Sequence, residues 1–163
     1  MSLQDARAER LTVDQGGGRR KVYRPLDAES RQRALEAGLA AYRRGDFFEA
    51  HELLEPAWMG TDDLAERALY QGLIKLAAAY VHAVRGNPIG MARNLQGARQ
   101  YLKNSARIDP SHSVGVGIDL PALVAAMDER LESLRGLVDR LAVDGGAGAL
   151  SLAEGAPAIR QAR

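Results

Sequence analysis

The chain has 163 residues, 46% hydrophobic and 26% charged, which is long and apolar enough to bury the core of one domain. Its 22 basic residues against 21 acidic ones leave a formal net charge of +1, which gives no drive toward nucleic acid or an anionic membrane surface. With no cysteine, disulfides, thiolate metal ligands and cysteine nucleophiles are excluded.

Residues 1–27 read as a flexible N-terminal arm, because Gly16-Gly17-Gly18 interrupts any helix and a short basic run, Arg19, Arg20, Lys21 and Arg24, precedes Pro25. No apolar stretch there resembles a secretory signal, and no apolar run approaches the roughly 20 residues of a membrane span, so a cytoplasmic protein is expected. Five helices are expected over residues 28–143. The first runs from Ala28 to about Arg44, with Leu35, Leu39 and Tyr42 on one face, and stops at Gly45. Asp46 is placed to cap a second helix from Phe47 to about Met59, ending at Gly60. Thr61-Asp62-Asp63 supplies the cap of a long third helix, Leu64 to Arg85, which is apolar nearly all round and therefore central. Asn87-Pro88 opens the fourth helix, which ends near Arg107.

A loop with Pro110 and an exposed His112 follows, and Asp119 caps the fifth helix. Leu120, Val124, Met127, Leu131, Leu134, Val138 and Leu141 form a seam on that helix at alternating spacings of four and three. The seam fits a homo-oligomer through residues 120–141, but Leu123 and Leu137 broaden it and favour packing within the chain. Residues 144–163, rich in glycine and alanine, read as a flexible C-terminal tail. The turn Gly45-Asp46 followed by Ala50 returns 41 residues later as Gly86-Asn87 followed by Met91. The expected fold is therefore all-α: a compact bundle of two helix-turn-helix hairpins, tetratricopeptide-like, plus a closing C-terminal helix.

The second helix carries the most informative feature. At about 100° per residue, Phe47, Phe48, Leu54 and Trp58 share a side with His51 and Glu55. A carboxylate on an apolar face needs a partner, and His51, one turn before Glu55, is placed to be that partner or to share a cation with it. On the third helix Gln71, Lys75 and His82 interrupt the apolar surface and share one stripe within about 40°. Facing stripes would gather His51, Glu55, Gln71, Lys75 and His82 into one buried polar pocket walled by Trp58 and Tyr70.

Three readings of that pocket stay open. His51, Glu55 and His82 fit the ligands of a divalent metal ion, with Glu52 or water completing the shell. His51 and Glu55 also fit a general acid/base dyad acting on a small polar ligand. Thirdly, they fit a hydrogen-bonded pair that only fixes helix packing, in a non-catalytic helical-hairpin interaction module. Arg93, Gln96, Gln100, Lys103 and Arg107 on the fourth helix read as a solvated face rather than an RNA contact.

The run from Gly45 to Trp58, with Gln71-Gly72-Leu73-Ile74-Lys75-Leu76-Ala77-Ala78-Ala79, His82 and Arg85-Gly86-Asn87-Pro88, resembles the bacterial and archaeal "domain of unknown function 309" family. The resemblance covers about Ala34 to Leu102. It implies an all-helical fold and a His-x-x-x-Glu-x-x-Trp/Tyr motif, put forward as a metal-binding element without an established activity. His51, Glu55 and Trp58 meet that motif here. One departure is Met91, where the resemblance leads one to expect a small alanine.

Overall fold

The computed structural model describes residues 12–14, 20–111, 116–144 and 152–162. Two short antiparallel strands, β1 (Thr12–Asp14) and β2 (Arg20–Val22), pair before the helical domain. Five helices follow: α1 (Ala28–Arg43), α2 (Phe47–Met59), α3 (Leu64–Val84), α4 (Pro88–Ile108) and α5 (Leu120–Asp144). The domain is an all-α bundle of two hairpins and a closing helix. Each helix packs mainly on its neighbour in sequence, and the α3–α4 contact is the most extensive.

Local chemistry sets the helix ends. Both hairpins turn through a left-handed glycine, Gly45 at φ 79° and Gly86 at φ 69°, a region open to Gly without a Cβ penalty. In each, two backbone bonds close the last turn: Asp46 N to Ala41 O and Gly45 N to Tyr42 O, then Asn87 N to His82 O and Gly86 N to Ala83 O. The 41-residue repeat is thus one turn geometry used twice. Asp27, Asp63 and Asn87 cap α1, α3 and α4 by accepting from Ser30 N, Glu66 N and Gly90 N, and Asp119 accepts from Ala122 N at 3.1 Å. Asp46 corrects the sequence reading: it occupies the cap position of α2, but its side chain makes no capping bond. Helix α2 runs through Pro56 without a break.

The core is continuous from Leu35 and Leu39 of α1 through Leu69, Leu73 and Leu76 of α3 to Leu95 and Leu102 of α4. Tyr42, Phe47 and Tyr80 stack edge to face and tilted at its centre, with Phe47 and Tyr80 centroids 5.2 Å apart. On α5 the buried residues are Leu120, Leu123, Met127, Leu134 and Leu137, while Val124 and Leu131 sit at the margin. The stripe turned to the bundle is thus displaced from the expected seam; the side chains of Val138 and Leu141 lie outside the described residues.

Residues 152–162, expected as part of a frayed tail, instead lie against the helices. Leu152 and Ile159 are buried. The Tyr42 hydroxyl donates to Pro157 O at 2.8 Å, Arg43 to Ile159 O at 3.1 Å and Arg130 to Leu152 O at 2.5 Å. Arg24 N and Leu26 N bond to Met59 O and Gly60 O, so the end of the expected arm is tied to the C-terminus of α2. No helix among the described residues is long and apolar enough to cross a membrane.

Candidate functional site

A cleft of about 220 Å³ opens between α2, α3 and α4. Helix α2 contributes His51, Glu55 and Trp58, at i, i+4 and i+7, and α3 contributes Gln71, Ile74, Lys75 and Ala78 at the same spacing. Helix α4 adds Asn94. The cleft thus sets His51 and Glu55 of α2 across from Gln71 and Lys75 of α3. The pair is half-buried at the rim rather than enclosed, with the His51 side chain 32% exposed, whereas Trp58 is buried.

The His51 ring meets Glu52 rather than Glu55, with Nδ1 3.3 Å from Oε1. Glu55 has an interaction of its own and is not free. Lys75 reaches across α4: its Nζ lies 5.9 Å from the Tyr101 ring centroid, and its stem runs against Gly97. The Asn94 amide donates to Gly90 O at 2.9 Å, which fixes its orientation. The buried Trp58 Nε1–H makes no hydrogen bond within the described protein.

Four expected members stand elsewhere. His82 does not line the cleft. The Phe47–Tyr80 ring contact sets the antiparallel register of α2 and α3, so His51 lies level with about residue 76 and His82 falls beyond the start of α2. Its Nδ1 lies 3.2 Å from Asn87 Nδ2, in the α3–α4 turn, over Gly90, where any Cβ would meet the ring at 2.6 Å. Tyr70, one residue before Gln71, is rotated away and buried, and its hydroxyl donates to Glu66 at 2.9 Å. Glu52 is exposed and touches the site only through His51. Phe48, expected beside the pair, is 61% exposed and borders a separate groove with Val81 and Val84. His112 lies outside the described residues.

Sequence reasoning missed Asn94, which no periodicity marks, and the buried Glu66. The Glu66 carboxylate accepts from Thr61 Oγ1 at 2.9 Å, Tyr70 Oη at 2.9 Å and Arg31 Nε at 2.7 Å. The Asp63-x-x-Glu66 spacing at a helix start was its one signal. Burial, then the neighbouring Glu66 charge, pushes the Tyr70 hydroxyl up from its usual range, and the Glu66 hydrogen bond raises Arg31. Among the described residues, no three His, Cys, Asp or Glu side chains gather closely enough to hold a metal ion.

Fold and site together define a helical-hairpin domain with a mixed polar and aromatic cleft. Residues 35–94 match the family model described as "Domain of unknown function (DUF309)". Every residue that lines the cleft, from His51 to Asn94, falls inside the matched segment. No curated protein and no solved structure matches the chain.

Proposed function

We propose that this protein binds a small polar molecule in the cleft between α2, α3 and α4. One observation carries the reading: three helices turn His51, Glu55, Gln71, Lys75 and Asn94 toward one cleft that also holds the only tryptophan of the chain. Binding sites combine apolar walls with a few convergent polar groups, and here Trp58, Ile74 and Ala78 supply the walls. At about 220 Å³ the space is below the roughly 300–1,000 Å³ of sites that take drug-sized ligands, which suits a small metabolite. The unpaired indole N–H of Trp58 supports the same reading, because buried donors are seldom left unsatisfied.

A divalent cation is the second reading. His51 and Glu55, one turn apart in the cleft, suit two positions of its shell. The remaining ligands would come from water or a bound molecule, and the ammonium of Lys75 in the same wall opposes a bare cation. An interaction module, built on tetratricopeptide-like hairpins, would instead use the exposed Phe48 and Val84.

Ligand-induced thermal stabilisation separates these readings. With a panel of small polar metabolites, at least one compound is expected to raise the Tm of the wild type and leave a His51→Gln/Gln71→Ala variant unmoved. Equal shifts in both proteins, or none in either, would overturn the proposal. Elemental analysis of untagged wild type and His51→Ala addresses the cation: substoichiometric metal in both removes it.

A further inference from the structure

We infer that the cleft selects an oxyanion, a carboxylate or phosphate group on a short molecule, with Lys75 as its anchor; this deepens the small-ligand reading and rests on it. No ion pair among the described residues includes Lys75, although it stands in the wall of a cleft opposite a helix that carries three glutamates, Glu49, Glu52 and Glu55. An unpaired ammonium in a half-enclosed site favours a negative ligand more strongly than one in open water, because the local dielectric is lower.

The lysine is held in place. A Cβ at position 97 would come within 3.0 Å of Lys75 Cδ and 3.4 Å of Cε, so the absence of a side chain at Gly97 makes the slot in which the stem lies. The Tyr101 ring, 5.9 Å from Nζ, adds a cation–π contact on the far side. Gln71, one turn before Lys75, adds an amide to the same wall.

The two ends of the cleft differ. In the register that sets Phe47 beside Tyr80, Lys75 lies level with His51 and Glu52, while Glu55 and Trp58 lie one to two turns further toward the start of α3. The oxyanion end of a ligand therefore sits at Lys75, and its other end runs toward Trp58.

The test uses the full chain and the indole N–H signal of Trp58, which is unique in the sequence and needs no assignment. Inorganic phosphate, glycolate, 1,4-diaminobutane, glycerol and manganese(II) are titrated at constant ionic strength. Phosphate or glycolate is expected to move the signal saturably. Lys75→Met is expected to weaken that binding by about tenfold or more, and Lys75→Arg to retain most of it. A circular-dichroism melt confirms that both variants fold. Equal anion binding by wild type and Lys75→Met overturns the inference. Saturable binding of diaminobutane, glycerol or manganese but not of either anion overturns it as well, while leaving the small-ligand reading standing. If no titrant moves the signal, and the wider metabolite panel also fails to stabilise the protein, both fall together.

Discussion

Glu66 shows how much one buried charge can hold. It is 8% exposed, yet three donors from three segments meet its two oxygens: Arg31 of α1, Thr61 of the α2–α3 loop and Tyr70 one turn along α3. Arg31 also donates to Leu26 O, so the network ties the segment before α1 to the start of α3. Removing the carboxylate strands a half-buried guanidinium, and the loss of one partner from such a pair is severe. Glu66→Ala is expected to destabilise the fold by on the order of 3 kcal/mol in urea titration. The exposed Arg33–Glu29 pair, 2.6 Å apart on one helix face, is the control, and Glu29→Ala should leave the midpoint nearly unchanged. A Glu66→Ala midpoint as little moved as that of Glu29→Ala would show that the network carries no stability. Tyr70 was expected as a wall of the pocket, but the 100° step from Gln71 sends the two to different faces.

At the scale of elements, helix ends and faces were legible and axial offsets were not. Glycine after a periodic run and Asp or Asn before the next one specify turn chemistry directly, so the boundaries at Gly45, Gly60 and Gly86 were readable. The stripe of Gln71 and Lys75 was readable for the same kind of reason. His82 shares their angle, but periodicity reports angle and not depth, and the Phe47–Tyr80 contact that sets the depth is tertiary. Close helix approach is likewise invisible until the partner is known. A Cβ on Gly72 of α3 would come within 2.6 Å of Leu102 Cδ2 and 3.3 Å of Ala98 O, whereas one on Gly136 of α5 would meet only Arg140 at 3.5 Å. Gly72→Ala is therefore expected to lower stability by about 1–3 kcal/mol through overpacking. Gly136→Ala should raise it by about 0.5–1 kcal/mol, because alanine loses less backbone freedom in a helix. Chemical denaturation of the two variants reads both signs; a stabilising Gly72→Ala would contradict the α3–α4 packing.

For the whole molecule, helices pack mainly on their neighbours in chain order, and the segment 152–162 bonds to both α1 and α5. Composition gave no view of this, since Gly155 and Pro157 punctuate an extended chain as readily as a loose one; the order comes from side chains 115 residues away. The Tyr42 hydroxyl is the link to test. Burial, reinforced by Tyr80, holds its ionisation well above the usual tyrosine range. Because the folded value is raised, the unfolded chain gives up the proton first. The contribution is complete below the unfolded value near 10 and is lost as pH rises from there toward the folded value. Tyr70 and Tyr80 shift in the same direction, so wild-type stability should be flat toward pH 9 and fall steeply above about pH 10. Tyr42→Phe removes the bond to Pro157 O and should cost about 1 kcal/mol at pH 7. The same variant has one group fewer to ionise, so its alkaline limb should be shallower and the two curves should converge as pH rises. Thermal melts from pH 7 to 11 measure both effects. Parallel curves would mean that Tyr42 ionises alike in the folded and unfolded chain and that the C-terminal segment does not bury it.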